Sequence, residues 1–237
     1  MIGLKLPSRK RSREEAEKPF WISFADLMTA LMVLFLVSVT VALFAVTQKP
    51  DEVAKKQAQR DQDIQKLLGQ IAEAAKEYPG IIVRGHSIDF GPLANFETNK
   101  SGLNTEQAAT LRAFVPKVLT NVRDPLGQKW FKRIVVEGFA DQRGSYIHNL
   151  NLSLQRSERV LCILLTSPKS APDALSDADR LLVRELFLVG GSSFNALKAS
   201  LEESRRIELK LEFLELDEKR QPPRDAPLDP DERCPAD

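Results

Sequence analysis

The 237-residue sequence predicts an α+β protein with a single N-terminal transmembrane helix, a helical stalk and then a βαβαβ-type domain. Three observations lead to this fold class. An early apolar run is long enough to cross a bilayer, a polar segment with helical periodicity follows it, and strand-like and helix-like patterns alternate after that. Five segments result: a cytoplasmic basic tail (1–18), a transmembrane helix (19–47), a helical linker and dimer stalk (48–80), a folded domain (81–216) and a Pro-rich C-terminal tail (217–237).

The apolar run carries no charged residue from Leu27 to Val46. About 20 such residues span the hydrocarbon core of a bilayer, whereas the apolar region of a signal peptide is typically about 7–15 residues long. We therefore expect a retained, single-pass membrane anchor. Lys and Arg are more frequent before the run than directly after it. This bias predicts a cytoplasmic N-terminus, an inner-membrane location and a periplasmic C-terminal domain.

One carboxylate, that of Asp26, lies near the start of this run. An ionised carboxylate inside a membrane is unfavourable, so an acid at such a position is a candidate functional group. Trp21 precedes it as an interfacial aromatic residue, and Thr29 follows three residues later on the same helix face. We interpret Asp26 as the ion-carrying group, supported by Thr29 and Trp21. The alternative is an interfacial acid that reaches water.

The helical stalk contains a short apolar repeat. Ile64, Leu67 and Ile71 follow one another at steps of three and four residues. This spacing is typical of the seam between two parallel helices, so it predicts a dimer stalk. The repeat is only about two heptads long, and the alternative is a helix that packs on its own domain.

The folded domain has the predicted order β-α-β-α-α-β, read from periodicity and capping residues. Strands are predicted at 81–90, 130–139 and 205–216. Helices are predicted at 103–122, capped by Asn104 or Thr105, at 153–167, opening at Ser153, and at 176–187, capped by Ser176.

Two cysteines, Cys162 and Cys234, both follow the apolar run. An oxidising periplasm permits a disulfide between them, which would hold the C-terminal tail against the domain. The alternative is that Cys162 is a buried thiol within an apolar helix. The sequence leaves both open.

Composition gives little support for catalysis or metal binding. His86 and His148 are the only histidines, and neither has the spacing of a known nucleophile motif or of a metal site. The net charge of +1 at pH 7 gives no sign of nucleic-acid binding. We therefore expect no enzyme activity, no catalytic residue, no metal, no cofactor and no nucleic-acid partner.

The membrane segment "FWISFADLMTALMVLFLV" resembles the membrane helix of MotB-type stator subunits of the flagellar motor. The resemblance implies that Asp26 conducts H⁺ or Na⁺. It also implies that two copies, a homodimer, assemble with a MotA-like pentamer as a 5:2 complex in which ion flow rotates the pentamer. The matching residues are Trp21, Phe24, Ala25, Asp26, Met28, Thr29, Met32 and Phe35.

Residues 135–160 resemble the OmpA-like peptidoglycan-binding domain, which implies a mixed sheet and a site for the diaminopimelate of the cell-wall peptide. The resemblance assigns the ligand mainly to Asp141 and Arg156, with Arg156 expected in the first turn of a helix. From spacing alone, a plain Asp–Arg pair that closes a loop is the alternative. Phe139, Ala140 and Ser157 depart from the usual pattern. The matching residues are Gly138, Asp141, Asn149, Leu152, Ser153 and Arg156.

The linker is shorter than in flagellar MotB proteins, and Leu150-Asn151 stands where those proteins have a tryptophan in the asparagine motif. In these features the chain is more similar to ZorB, the stator-like subunit family of Zorya anti-phage defence systems, whose MotA-like partner is ZorA. The resemblance implies a role in anti-phage defence. A flagellar stator subunit and a passive cell-wall tether are the alternatives.

Overall fold

The computed structural model describes residues 13–220 together with Leu228 and Cys234. Most of the predicted basic tail (1–18) and of the predicted Pro-rich tail (217–237) lies outside the described residues. The chain divides into two compact units, Met1–Lys56 and Gln57–Asp237.

Helix α1 (Arg13–Ala75) contains the apolar run. Its segment Ser23–Val46 is 24 residues long, has a mean hydropathy of 2.6 and consists of exposed residues. At about 1.5 Å per residue it is long enough for a hydrocarbon core about 30 Å thick. The helix predicted over 19–47 is therefore present.

The C-terminal unit is built on one five-stranded sheet. Strands β3 and β4 are parallel and the other neighbours are antiparallel, so the sheet is mixed, as expected. The strand order is β1-β2-β5-β3-β4. The strands are β1 (Ile82–Arg84), β2 (Ser87–Asp89), β3 (Phe131–Gly138), β4 (Phe187–Gly191) and β5 (Ile207–Phe213).

Two of the helix caps predicted from the sequence are present in this unit. Asn104 and Gln107 form a reciprocal capping box at the first helix, and Ser176 caps another through the backbone N–H of Asp179. A short 3-10 helix spans Gly91–Ala94. The α-helices are α2 (Thr105–Arg123), α3 (Pro125–Trp130), α4 (Tyr146–Leu165), α5 (Asp177–Leu186) and α6 (Leu201–Ser204).

Two predicted elements differ from the structure. The strand predicted over 81–90 is a hairpin, because Gly85 (φ 55°) and His86 form a two-residue turn between β1 and β2. The helix predicted to open at Ser153 begins at Tyr146 and is capped by Ser145, so Arg156 lies about three turns into α4 rather than in its first turn. Strand β4 is absent from the predicted elements, and only its first residue, Phe187, falls within the helix predicted at 176–187.

The prediction that the apolar repeat of the stalk packs against a second copy of the chain is wrong. Ile64, Leu67 and Ile71 are buried in the core of their own C-terminal unit. A helix that packs on its own domain has the same apolar spacing as one that packs on a second helix, and burial here takes place within one chain. The compact domain accordingly begins at Gln57 rather than at residue 81.

The two cysteines form a disulfide between Cys162 on helix α4 and Cys234 in the tail, with their Cα atoms 5.5 Å apart. Of the two alternatives left open by the sequence, the structure has the bridge. Cys234 is therefore fixed to the C-terminal unit across a separation of 72 residues.

Candidate functional site

A pocket of about 230 Å³ opens where strand β3 ends and helix α4 begins. Four of its side chains are charged. They are the carboxylate of Asp141 and the guanidinium groups of Arg143, Arg156 and Arg205. The pocket also includes part of the segment before α2. Its lining residues are Thr98, Asn99, Asp141, Arg143, Gly144, His148, Asn149, Leu152, Arg156 and Arg205.

The Asp141 carboxylate is almost fully enclosed, with 6% of the side chain exposed. It accepts hydrogen bonds from the Arg143 side chain (Nη2, 2.7 Å; Nε, 3.2 Å), from the Arg143 backbone N–H (3.0 Å) and from Arg205 Nη1 (3.1 Å). These bonds, those of the Arg143 side chain above all, lower the pKa of Asp141 to about 2. Asp141 is therefore an anion at any physiological pH.

Arg156 is fully buried on the other side of the pocket. Its guanidinium donates to the backbone carbonyls of Lys100 (3.1 Å), Phe139 (2.7 Å) and Glu97 (3.3 Å). Burial lowers the pKa of Arg156 to about 10, which leaves it charged at neutral pH. Arg156 thus joins α4 to two other segments through carbonyl groups, and the direct Asp141–Arg156 loop closure considered from spacing is not the arrangement found.

The remaining predicted ligand residues lie around this pair. Asn149 donates from Nδ2 to the carbonyl of Arg143 (2.8 Å), which fixes the loop after Asp141. Ser153 accepts the backbone N–H of Ser193 (3.1 Å) and is fully buried. Leu152 forms part of the pocket wall. Asn149 and Ser153 therefore position the backbone around the pocket, and Ser153 itself does not line it.

Arg143 and Arg205 are the charged pocket residues absent from the predicted set. Arg143 had a local signal, because Asp141 accepts the backbone N–H two residues ahead in an Asx turn, a geometry typical of Asp before Gly-containing loops. Gly144 follows that turn at φ 95°, in the left-handed region. Arg205 had no local signal as a partner of Asp141, since 64 residues separate the two.

The histidines have separate environments. The Nε2 atom of His148 lies 2.7 Å from Oδ1 of Asn99 at the pocket wall. His86 stands in the β1–β2 turn with its ring 5.1 Å from that of Phe213. Within the part of the chain that the structure describes, no group of three or more His, Cys, Asp or Glu residues could hold a metal ion.

The second candidate site is Asp26, in the first turns of the apolar segment of α1. The Thr29 hydroxyl donates to the carbonyls of Ala25 (3.0 Å) and Asp26 (2.9 Å), so it is used by the helix backbone. Trp21 contacts Phe24 edge to face, with ring centroids 6.4 Å apart. Asp26 is exposed on the helix surface, where a partner helix or another subunit can reach it.

Comparison with known proteins decides the family. Residues 7–50 match the family model described as membrane MotB of the proton-channel complex MotA/MotB. The chain is 45% identical to the Zorya protein ZorB of Escherichia coli O139:H28 (strain E24377A / ETEC) over 223 residues. This alignment covers 93% of this chain and 91% of that protein. The chain belongs to the ZorB family. The resemblance seen in the sequence is confirmed, and the chain is a stator-like membrane subunit.

Solved structures of low identity are also similar to the chain. A putative MotB-like protein from Desulfovibrio vulgaris is 14% identical, with 68% of this chain and 98% of that chain covered and a TM-score of 0.41. The periplasmic domain of Helicobacter pylori MotB is 15% identical, with 57% and 81% covered and a TM-score of 0.39. The OmpA-like domain of FopA1 from Francisella tularensis is 17% identical, with 57% and 82% covered and a TM-score of 0.36.

Proposed function

We propose that this chain is the ion-conducting, wall-anchored subunit of a rotary motor that serves anti-phage defence. The observation that carries the proposal is Asp26, an acid within an apolar span in the segment that matches membrane MotB of a proton-channel complex. The defence role is proposed from the 45% identical relative, which is the Zorya protein ZorB.

In this proposal Asp26 binds and releases H⁺ or Na⁺ as its surroundings change. A carboxylate in an apolar environment favours its neutral form, and one that meets water or a cation favours its charged form. One unit charge that crosses the membrane releases about 2.3 kcal/mol per 100 mV. This energy can drive a conformational step when the two states of Asp26 pack differently against a partner.

The proposed partner is a MotA-like, ZorA-like pentamer around two copies of this chain, a 5:2 complex with a homodimer at its centre. The N-terminus is cytoplasmic, the span crosses the inner membrane and the C-terminal unit is periplasmic. No cofactor takes part besides the translocated ion. The two copies are the fixed element, and the pentamer turns around them.

The C-terminal unit is proposed to hold peptidoglycan at the pocket that contains Asp141 and Arg156. A carboxylate and guanidinium groups in one pocket can bind a ligand that carries both an ammonium and a carboxylate, such as diaminopimelate. The protein's attachment to the wall would then resist the torque on the pentamer.

The ion-carrying role is tested by Asp26→Asn, with phage protection and swimming scored in the same cells. Asp61→Asn is the matched control, because Asp61 is exposed on the same helix beyond the apolar span. Loss of protection with normal swimming supports the defence motor. Loss of swimming alone would indicate a flagellar stator, and no change in either would favour a passive tether.

The wall-binding role is tested by pull-down with isolated sacculi. Asp141→Asn keeps the shape of the side chain and removes the charge, so we expect binding to fall at least severalfold. Asp177→Asn is the control, since Asp177 is exposed and pairs with Arg180 away from the pocket. Undiminished binding by Asp141→Asn would contradict the assignment. Arg156→Ala is a poorer test, because it removes a fully buried side chain that donates to three backbone carbonyls and so disturbs the fold around the pocket.

A further inference from the structure

The Asp141 carboxylate already has a cation on it, supplied by the chain itself. The Arg143 guanidinium meets both carboxylate oxygens, with Nε 3.2 Å from Oδ1 and Nη2 2.7 Å from Oδ2. The same Nη2 donates to the Thr98 hydroxyl at 3.0 Å, so the side chain reaches from one pocket wall to the other. A ligand ammonium that approaches Asp141 therefore meets Arg143 first.

The three arginines of the pocket differ in how firmly they are held. Arg156 is fully buried and donates to three backbone carbonyls. Arg205 is 13% exposed and donates from Nε to the carbonyl of Phe96 at 2.8 Å. Arg143 is 50% exposed, and among the described residues its side chain donates to the Asp141 carboxylate and the Thr98 hydroxyl. Arg143 is thus the arginine that can leave at the smallest cost.

The departure of the Arg143 side chain does not require the loop to open. The Arg143 backbone is held separately, by its N–H on Asp141 Oδ1 (3.0 Å) and by its carbonyl, which accepts from Asn149 (2.8 Å). Because the Arg143 side chain is half exposed, water partly screens its ion pair with Asp141 and lowers the cost of separating the two groups. Rotation of one solvent-facing side chain therefore uncovers Asp141 and leaves the Asx turn in place.

We propose that Arg143 is an internal occupant of the cation position of this pocket, displaced by the ammonium group of the ligand, and that it thereby sets the specificity of the site. The inference rests on the proposed wall-binding function. A ligand with an ammonium next to a carboxylate replaces Arg143 on Asp141 and places its carboxylate near Arg205 and Arg156. A ligand with carboxylates alone does not displace Arg143 from Asp141, and it gains no favourable contact with the Asp141 carboxylate.

The test is isothermal titration calorimetry on the full-length protein in detergent, with meso-diaminopimelate and with pimelate, the same dicarboxylate without amino groups. Arg143→Gln removes the competitor, so we expect roughly two- to fivefold tighter binding of diaminopimelate, the range of one partly exposed ion pair. Pimelate binding stays the same or weakens, because one cation is lost. The preference for diaminopimelate over pimelate therefore rises.

Arg133→Gln is the matched control, because Arg133 is a similarly exposed arginine paired with Glu212 at 2.6 Å on the sheet, outside the pocket. It should leave the preference unchanged, and circular dichroism should show that both variants are folded. If Arg143→Gln weakens diaminopimelate as much as pimelate, Arg143 binds a ligand carboxylate and the proposal is overturned. An unchanged preference overturns it as well.

Failure of the wall-binding function itself has a different result. In that case neither the wild-type protein nor Arg143→Gln binds diaminopimelate, and the wild-type protein does not bind sacculi, which overturns the function and the inference together. Binding by the wild-type protein without the change in preference overturns the inference alone.

Discussion

Burial and charge at single residues explain why the pocket is preorganised. Arg156 remains charged although it is fully buried, because three carbonyl oxygens replace its hydration shell. Asp141 is likewise enclosed, and its negative charge is matched by Arg143 and Arg205. The pocket therefore holds two enclosed charges of opposite sign, on Asp141 and Arg156, and hydrogen bonds from a ligand to groups shielded from water are strong.

The first prediction concerns the titration of Asp141. The bonds of Arg143 are the leading cause of its lowered pKa, so Arg143→Gln should raise the pKa of Asp141 from about 2 toward the ordinary value near 3.8. Carboxyl ¹³C chemical shifts measured against pH would show this. Arg133→Gln is the control. An unchanged Asp141 pKa in Arg143→Gln would mean that Arg205 and the Arg143 backbone N–H are enough to keep that pKa low.

The same shift predicts how stability depends on pH. The pKa of Asp141 is lower in the folded state, so its contribution is present above the unfolded pKa of about 3.9 and is lost as pH falls through about 2. We expect urea unfolding of the wild-type protein to show a steeper loss of stability between pH 4 and pH 2 than Arg143→Gln. Equal slopes would contradict this.

At the scale of elements, helix α4 lies very close to strand β3. A Cβ atom at Gly138 would overlap the backbone carbonyl of Ser153, and neither the strand nor the helix can easily move away. This close approach brings the Asp141 loop at the end of β3 next to Arg156 on α4. The geometry of the pocket therefore depends on the absence of a side chain at residue 138.

We predict that Gly138→Ala destabilises the fold by about 1–3 kcal/mol through overpacking. Gly69→Ala is the control, because a Cβ there meets nothing within 4 Å and alanine is the better helix former. Thermal unfolding of both variants would check this, and a Gly138→Ala protein as stable as wild type would contradict the close approach.

The C-terminal part of α1 is held by apolar burial and by a polar cluster. Ile64, Leu67 and Ile71 enter the core. Next to them Asp63 accepts from Trp130 Nε1 at 2.9 Å, a bond that is the leading cause of its lowered pKa. Arg60 donates to the carbonyl of Leu214 at 2.8 Å. This segment therefore belongs to the folded unit.

We predict that Leu67→Ala lowers the free energy of unfolding by about 2–5 kcal/mol, as for other buried leucines. Because the side chain is buried within one chain, the loss should not depend on protein concentration. Leu181→Ala, at a position 44% exposed on α5, should change stability by less than about 0.5 kcal/mol. If the loss of stability became smaller at higher protein concentration, Leu67 would instead pack between two copies of the chain.

At the scale of the whole molecule, the chain combines a membrane-spanning unit with a compact C-terminal unit. The disulfide closes the second half of the C-terminal unit onto itself, since it joins α4 to a cysteine near the end of the chain. A cross-link over so long a separation restricts the unfolded chain strongly.

We predict that reduction, or Cys234→Ser, lowers the stability of the C-terminal unit by about 2–4 kcal/mol. Urea unfolding with and without dithiothreitol would measure it. The Cys162→Ser/Cys234→Ser double variant should show no further response to dithiothreitol. Equal stability of the oxidised and reduced wild-type protein would show that the tail contributes nothing through this bond.

Much of the architecture could be predicted from local pattern. The apolar run around Asp26, the capping box at Asn104, the cap at Ser176 and the strand that became β5 each depend on neighbouring residues, and helical or strand periodicity records them directly. The family resemblance of the membrane segment is local for the same reason, because it rests on one short motif.

Tertiary structure decided what surrounds these residues. The spacing of Ile64, Leu67 and Ile71 shows an apolar helix face but not whether its partner is the same chain or a second copy. Asp141 pairs with Arg205, which lies 64 residues further along the chain, and strand β4 hydrogen-bonds to strand β3. No local sequence pattern encodes either contact. Sequence by itself determined which groups carry charge and which segments are apolar, whereas the folded chain determined which charges face each other, because burial and pairing depend on residues far apart along the chain.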